Sequence, residues 1–330
     1  MPGIYCGQIV INQKPSGGVR NPTILKSDVK WEAQIVGGSC NGAISFASNN
    51  PYVTVDGFEL WGAAYDGVNT ASDYTTIRNC WIHNNGTNGI GIHNRKSAVI
   101  ENNLIEFNGM HPQFHHGMYI DGSDHLIRGN IVRQNAGYGI HLYPNIVRTH
   151  IENNLVYGQI NHAGIILVST EGGAGIEVVN NTIVNNAFGI EMWRCNDAII
   201  ENNILTGNQN AFLFLDVKRV HVNYNLIDPS SEAIGDNDFK GNPGFICAKR
   251  GIFWLGEKSD AIGRGNPKTS PVVDLWGKPR PKDRAPDLGA YQFINIPSLD
   301  QIVKRWQYSS RFDTSAQSGE LPDLCQVPGK

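Results

Sequence analysis

Four residues at matched spacing are the strongest candidates for chemistry in this sequence. Tyr119 and Asp121 stand two residues apart in one short segment, and His141 and Tyr143 stand two apart in another. His and Tyr can pass protons near neutral pH, and Asp can orient a proton carrier or hold a cation. If the two segments are neighbouring strands about 4.8 Å apart, the four side chains form one patch. The pattern therefore predicts a proton-transfer site.

Equivalent positions in the neighbouring segments extend this patch into two columns. The first column is Gly91, Tyr119, His141, Ile166, Glu191 and Phe214. The second column is His93, Asp121, Tyr143, Val168, Trp193 and Asp216. Three basic residues follow the ends of these segments: Arg95, Arg194 and Lys218. The pair Ile166 and Val168 is apolar, which interrupts the columns and argues against a long groove.

This set of residues suits a bound sugar acid, because Arg and Lys pair with carboxylates and aromatic rings offer flat apolar faces. We predict His141 as the base, Tyr119 as the acid or second proton relay, and Arg95 or Arg194 as the group that neutralises the carboxylate. Asp121 would orient His141 or hold a cation. The predicted substrate contacts are His93, His115, His116, Tyr143, Trp193 and Lys218. His115 and His116 lie in an insertion at residues 108–116.

A repeat sets the elements that must position these residues. Seven segments share one pattern, with Asn at the third position in six of them and Cys80 in the first: 78–82, 101–105, 128–132, 152–156, 179–183, 201–205 and 223–227. The third positions follow one another at steps of 22 to 27 residues. A period in this range predicts a solenoid, whose units are stable only against their neighbours.

Each Asn segment is followed by glycine and an alternation of apolar and variable residues, as in residues 117–120 and 139–142. Such alternation predicts strands with one buried face. Turns of a few residues leave no room for crossover helices, so we predict an all-β parallel β-helix of about ten coils over residues 1–295. The third-position Asn would adopt the left-handed conformation at a corner and stack into a ladder of amides. A short helix and tail are predicted over residues 296–330.

Composition excludes several other classes. The net charge is −3 without a basic run, which argues against nucleic acid, and no apolar run is long enough to span a membrane. The six Cys are scattered without a C-x-x-C pair, which argues against zinc and redox motifs. Residues 1–5 contain neither a charged n-region nor an apolar stretch, so we expect no signal peptide and no polar cap before the first strand. We therefore expect a monomeric, shortened form of a protein that is secreted or periplasmic at full length.

Residues 2–293 resemble the right-handed parallel β-helix proteins of the pectate-lyase-like superfamily. The repeats carry this resemblance together with a terminal block: 241–245, 270–274, 277–281 and 287–291. The resemblance implies the fold and a carbohydrate-active protein, since members include polysaccharide lyases, uronate epimerases, glycoside hydrolases, adhesins and phage tailspikes. It does not select a reaction.

The motifs of individual members are only partly present. The Asn-Thr-Asp and Asp-Asp motifs of polygalacturonases do not occur, and Asp121-Gly122-Ser123-Asp124 departs from the Asp-Pro-His of uronate epimerases. Pectate lyases place several Asp around calcium, and the resemblance implies Asp121 and Asp124 as the ligands here if calcium is used. We expect a lyase that cleaves an acidic polysaccharide by β-elimination. One alternative is a hydrolase that uses Asp121 and Glu191, which would need carboxylates about 5 to 10 Å apart. The other is a non-catalytic carbohydrate-binding or tailspike-like protein.

Overall fold

The computed structural model describes residues 1–12, 18–39, 42–46, 50–159, 161–229, 231–232 and 235–295. Within these ranges the chain winds into a parallel β-helix with three long sheets, which we call A, B and C. Sheet A contains β1 (Gly3–Cys6), β4 (Ala33–Gly38), β7 (Glu59–Ala63), β10 (Trp81–His83), β13 (Leu104–Glu106), β16 (Ile131–Arg133), β19 (Leu155–Tyr157), β22 (Thr182–Val184), β25 (Ile204–Thr206), β28 (Leu226–Ile227) and β29 (Phe239–Lys240).

The other two sheets have nine strands each. Sheet B contains β2 (Ile9–Ile11), β5 (Gly42–Phe46), β8 (Asp66–Thr70), β11 (Ile90–Lys96), β14 (Met118–Ser123), β17 (Ile140–Val147), β20 (Ala163–Val168), β23 (Phe188–Trp193) and β26 (Asn210–Leu215). Sheet C contains β3 (Thr23–Lys26), β6 (Val53–Asp56), β9 (Thr76–Arg78), β12 (Val99–Glu101), β15 (Leu126–Arg128), β18 (His150–Glu152), β21 (Ala174–Val179), β24 (Asn196–Glu201) and β27 (Lys218–Asn223).

The predicted all-β parallel β-helix is confirmed. Each coil runs through sheets A, B and C in turn, and nine successive coils supply all three strands, close to the ten predicted. Strands β30 (Phe245–Cys247) and β31 (Ile252–Leu255) form an antiparallel hairpin around a short 3-10 helix, Ala248–Arg250. The predicted C-terminal helix and tail lie outside the described residues, so that division of the chain stays a prediction.

The core is a continuous stack of aliphatic side chains inside the coils. Ile90, Met118, Ile140, Ile165 and Ile190 occupy the same register on successive strands of sheet B and are completely buried. Each fully buried side chain of this kind stabilises the fold by roughly 1.5–3 kcal/mol. Because inward and outward positions alternate, this buried stack fixes which side chains of sheet B face outward.

The predicted asparagine ladder runs along the corner between sheets C and A. In a typical rung, the Asn130 Nδ2 donates to Asn154 Oδ1 at 3.0 Å and the Asn154 Nδ2 donates to Asn181 Oδ1 at 3.0 Å. The left-handed conformation lies one residue earlier than predicted, at Asn153 (φ 53°) and Asn180 (φ 52°). The ladder residue follows this left-handed residue in the turn. The bend at the preceding residue directs the side-chain amide of the ladder residue towards the ladder residue of the next coil.

A second ladder, which the sequence analysis missed, follows the corner between sheets A and B. Asn85 Nδ2 donates to Asn108 Oδ1 at 2.9 Å, and Asn108 Nδ2 donates to Asn135 Oδ1 at 3.0 Å. The row continues through Gln159 and Asn186. Both ladders keep buried amides paired, which a solenoid needs because unpaired buried polar groups are costly.

The segment after residue 234 packs against the outside of sheet A. The Asn153 Nδ2 donates to the Val273 carbonyl at 2.8 Å, and the buried Arg280 guanidinium donates to Asn153 Oδ1 at 2.8 Å. Apolar residues of this segment, including Phe253 and Leu288, are buried there. Sheet A is thus covered over its later coils, while the segment makes no such contact with the outer face of sheet B among the described residues. In the described residues, no helix has the length and apolarity that a membrane crossing requires.

Candidate active site

The outer face of sheet B brings the predicted proton-transfer pair together. Tyr119 on β14 pairs in register with His141 on β17, and Gly91 and Ile166 occupy the adjacent positions on β11 and β20. The ring centroids of Tyr119 and His141 lie 5.3 Å apart in an edge-to-face arrangement. The neighbouring Met118 is completely buried in the core, so alternation turns Tyr119 outward.

Other rings surround this pair. The His116 ring centroid lies 4.6 Å from that of His141, and the Tyr143 centroid lies 5.8 Å from it. On the other side, the His93 centroid lies 5.7 Å from that of Tyr119. Three of the predicted substrate contacts therefore belong to one cluster with the proposed acid and base.

Two further members of the cluster, Tyr138 and His162, were missed in the sequence. The Tyr138 centroid lies 5.0 Å from that of His141 and 4.8 Å from that of His162. Both residues come from the turns that lead into sheet B, where the alternation of strand residues does not predict the direction of a side chain. The sequence does contain a pattern that could have identified such turn residues: His116 and Tyr138 each stand directly before the glycine that opens a strand. These opening glycines are needed for close packing: a Cβ on Gly117 would lie 2.5 Å from the Gly139 carbonyl oxygen.

We call the seven residues that these contacts join the ring cluster: His93, His116, Tyr119, Tyr138, His141, Tyr143 and His162.

A hydrogen-bond network fixes the orientation of His116. The Tyr138 N–H donates to His116 Nδ1 at 3.2 Å, so the neutral ring carries its hydrogen on Nε2. The His116 N–H donates to the Asn88 Oδ1 at 2.9 Å. Asn88 in turn donates from its side chain to the buried Asp66 carboxylate at 2.9 Å. Asp66, which the sequence analysis did not consider, thus holds the turn that carries His116.

Burial shifts the pKa values of the residues at the centre of the cluster. It lowers the pKa of His116 to about 2 and the pKa of His141 to about 4, and neighbouring histidines lower both further. Burial also raises the pKa of Tyr119, and Asp121 and Tyr143 raise it further. At neutral pH the His116 and His141 rings are therefore neutral and the Tyr119 phenol keeps its proton, which are the forms that a base and an acid need.

The predicted orienting role of Asp121 is not seen. The Nδ1 atom of His141 is buried and has no hydrogen-bond partner in the described part of the chain. Asp121 instead accepts a hydrogen bond from the Asn145 N–H at 3.3 Å, because the strand β17 bulges opposite it and turns that backbone group towards the carboxylate. Burial raises the pKa of Asp121.

The lower part of the face differs from the predicted columns. Glu191 pairs with Leu213 and Trp193 pairs with Leu215, so Phe214 and Asp216 do not continue the columns. The predicted alignment was one residue off because β26 has Ala211 opposite Gly189 of β23, so no glycine marks the register in its sequence. Glu191 is 5% exposed, and burial raises its pKa to about 7.

The spacing of the strands weakens the hydrolase alternative. Asp121 on β14 and Glu191 on β23 are separated by three strand steps, roughly 14 Å along the stack. A pair of hydrolytic carboxylates lies about 5 to 10 Å apart. Backbone spacing therefore does not favour this pair as a hydrolytic couple.

The basic candidates lie at the margins. Arg95 lies within β11 beyond a bulge, pairs in register with Gly122, and makes no ion pair within the described ranges. Arg194 is exposed at the corner after β23, and Lys218 begins β27 in sheet C. His115 is turned into the insertion, where its Nδ1 accepts from the Met110 N–H at 3.2 Å. Of the three cations, Arg95 lies on the strand next to that of Tyr119.

The calcium pair does not fit a cation site. The Arg148 guanidinium donates to both carboxylate oxygens of Asp124, at 2.6 and 2.9 Å, and the Ser123 hydroxyl donates to the same carboxylate at 2.7 Å. This pairing lowers the pKa of Asp124 to about 2. Across the described residues, no three His, Cys, Asp or Glu side chains are grouped as metal ligands. Calcium needs six or more oxygen ligands, and this pair has few to offer.

Comparisons with known proteins agree with the fold. A family model described as "Right handed beta helix region" matches residues 8–112, 33–182 and 115–257. The structure of pectate lyase Pel9A is similar with a TM-score of 0.56 and 14% identity, over 89% of this chain and 86% of that one. No curated protein matches the sequence.

Two other solved structures are more distant. The surface adhesin PfbA of Streptococcus pneumoniae has a TM-score of 0.47 and 15% identity, over 71% of this chain and 90% of that one. An alginate lyase from Paenibacillus has a TM-score of 0.40 and 15% identity, over 71% of this chain and 93% of that one. At these identities the likeness concerns the fold alone.

Proposed function

The chain belongs to the right-handed β-helix family, and we propose that it is a polysaccharide lyase that cleaves a uronate-containing glycan by β-elimination. The observation that carries the proposal is the register pair of Tyr119 and His141 on the outer face of sheet B. β-Elimination needs a base for the proton next to the carboxylate and an acid for the leaving oxygen. The pair offers one residue of each kind on adjacent strands.

His141 acts as the base in this proposal. Its Nδ1 is buried, which leaves Nε2 as the nitrogen that a substrate can approach. With a pKa lowered to about 4, the ring is neutral at pH 7 and can accept a proton. Nε2 takes the proton from C5 of the uronate, and the electrons of that C–H bond form the C4–C5 double bond.

Tyr119 acts as the acid. Because its pKa is raised, the phenol is protonated at neutral pH. As the bond between C4 and the glycosidic oxygen breaks, the Tyr119 hydroxyl donates its proton to that oxygen. One fragment then carries an unsaturated uronate and the other an ordinary sugar end, so atoms and charge balance without a co-reactant. The adjacent His116, whose Nε2 carries a hydrogen, would donate to the substrate rather than accept from it.

Arg95 neutralises the substrate carboxylate in this scheme. The residue lies on the strand next to that of Tyr119 and makes no ion pair within the described ranges. His93 lies beside it, with its Nε2 at 3.5 Å from the Asn69 Nδ2, and adds a polar wall. Arg194 is less suited, because it follows the strand β23, three strand steps from β14.

The test is ultraviolet absorbance of the conjugated unsaturated uronate during incubation with a panel of acidic polysaccharides. We expect a rising signal with at least one polymer, unchanged by a chelator. The variants Tyr119→Phe and His141→Ala should each lose the signal by a factor of about 10² or more. Tyr5→Phe is the matched control, because Tyr5 is exposed on the first strand of sheet A.

A flat trace with every polymer would reject the lyase, and new reducing ends in that case would indicate hydrolysis. A change of uronate stereochemistry without cleavage would indicate an epimerase, which removes the same proton.

A further inference from the structure

A groove runs between the outer face of sheet A and the segment that covers this sheet, residues 235–295. It encloses about 1320 Å³. Ile131 and Leu155 line it from strands β16 and β19, and Trp254 and Leu275 line it from the covering segment. Apolar walls of this extent are typical of a surface on which another segment or protein docks.

The described residues end at this groove. Ile294, the residue before the last described one, lines the groove and packs against the apolar cluster that contains Leu155 and Trp254. The residues that follow in the sequence therefore leave from the groove itself. Because they start there, no long connection is needed to bring them onto its walls.

The first of these following residues suit an apolar groove. The predicted helix at residues 298–306 is about 14 Å long, which is enough to cover the two strand steps, roughly 10 Å, from β13 to β19. Helical spacing places four large apolar side chains on one face of it: Leu299, Ile302, Val303 and Trp306.

A disulfide identifies a second point at which the end of the chain is held. Cys247, on the strand β30 of the covering segment, is disulfide-bonded. Two cysteines remain as its partner, Cys40 and Cys325, because the other three are free thiols: Cys6, Cys80 and Cys195.

Cys40 is too far away to be this partner. It follows the end of β4 by two residues, which extend at most about 7 Å. The hairpin that holds Cys247 packs beside β19, where a Cβ on Gly251 would lie 3.0 Å from the Tyr157 hydroxyl oxygen. Five strand steps, roughly 24 Å, separate β4 from β19. Since the Cα atoms of a disulfide lie within about 7 Å of each other, Cys325 remains.

Opposite charges accompany the two cysteines. Lys249 and Arg250 follow the first cysteine of the pair, and Arg250 also lines the groove. Glu320 and Asp323 come shortly before the second cysteine. Such complementary charges favour the approach of the two segments over other pairings.

We infer that residues 298–325 form a strap, in which the helix 298–306 fills the groove on sheet A and Cys325 is joined to Cys247. The disulfide forms by exchange with an external disulfide, which is reduced to two thiols as the two cysteines of the strap are oxidised. The strap lies on a different sheet from the ring cluster. The inference is therefore independent of the proposed lyase function.

Peptide mapping without reductant tests the covalent part of the strap. Trypsin places its two cysteines in peptides 241–249 and 312–330, and Cys40 in peptide 31–78. We expect the first two peptides to appear as one linked species that separates with dithiothreitol, in protein that migrates as a single chain on a non-reducing gel. A link to peptide 31–78, a link between two chains, or free thiols in both peptides would overturn the strap.

Hydrogen exchange of the full chain tests the docking of the helix. Ile302→Asp places a charge on the apolar face, and the matched control Gln301→Asp places the same charge on the opposite face. We expect amide exchange in residues 298–306 to be at least about tenfold faster in Ile302→Asp than in the unchanged protein. In the control it should stay within about twofold. Equal exchange in the two variants would overturn the docked helix.

The same measurement locates the docking site. In Ile302→Asp, the groove wall at residues 271–277 should also exchange faster, because the helix no longer covers it, while strand β14 on sheet B should not change. Faster exchange at residues 226–240, in the last coil, with no change at residues 271–277, would place the helix over the end of the solenoid and overturn the strap.

Discussion

The two asparagine ladders and the ring cluster share the same geometry, but the ladders stabilise the fold whereas the cluster forms the proposed active site. Both stack polar side chains at one register on successive coils. In the ladder, the Asn154 Nδ2 donates to the Ile127 carbonyl and to Asn181 Oδ1, and Asn154 Oδ1 accepts from Asn130. On the outer face of sheet B, the Nδ1 of His141 and the Nε1 of Trp193 are buried without a partner among the described residues. Paired polar groups stabilise the coils, whereas buried polar atoms without a partner lower the stability of the region that contains them.

Among the predicted effects, the loss of catalytic rate in the His141→Ala variant should be the largest. We expect kcat to fall by roughly 10³, because a positioned general base contributes about 10² to 10⁴. The unfolding midpoint should fall only modestly, since the ring loses its packing against neighbouring rings but no hydrogen bond among the described residues. His150→Ala in sheet C is the matched control, because that ring is exposed and its pair with Glu177 lies outside the cluster. Steady-state kinetics and thermal unfolding of both variants check the prediction, and a preserved rate in His141→Ala would remove the distinction between the two regions.

The substitution Asn154→Ala should show the reverse behaviour. It removes a buried amide and leaves its partners on two neighbouring coils unsatisfied, so we expect the free energy of unfolding to fall by about 3 kcal/mol. Activity per folded molecule should stay unchanged. Urea unfolding measures the loss, with Asn210→Ala on the exposed start of β26 as the control. A loss no larger than that of the control would show that the ladder does not stabilise the coils.

The pH dependence of kcat/KM should show a smaller effect, which tests whether the base on sheet B is buried. A base must be unprotonated to act, and burial lowers the pKa of His141 to about 4. At pH 5 the ring is then mostly neutral, whereas a His with the ordinary pKa of about 6.5 would be only a few per cent neutral, a difference of about thirtyfold. We expect kcat/KM to persist from pH 7 to pH 5 and to fall as the pH drops through about 4. An acid limb near pH 6.5 would contradict a buried base.

Much of the fold was accessible from the sequence because the solenoid repeats its own constraints. The inward apolar residues alternate with outward ones, so the register pair of Tyr119 and His141 followed from spacing alone. The first ladder was visible in the third-position Asn. The second ladder was hidden, since Gln159 interrupts the asparagine row and the segments around it vary.

Side chains that reach the site from turns escaped prediction. Tyr138 and His162 precede their strands, and their rings reach the site on sheet B because of the path of the turns that carry them. The register of β26 was misjudged because its apolar run allows two alignments that differ by one residue, and such a slip exchanges the two faces. Long-range partners are equally invisible to local patterns, as with Arg148, whose ion pair removes Asp124 as a calcium ligand.

Mass spectrometry of the cleaved glycan tests the central claim most directly. If the outer face of sheet B carries out β-elimination, one of the two fragments from each cleavage is lighter by one water than the corresponding hydrolysis product, and it shows the unsaturated uronate at its end. This product should vanish with His141→Ala and persist with His150→Ala. Fragments that both have the mass of hydrolysis products, or a polymer that stays intact, would contradict the account.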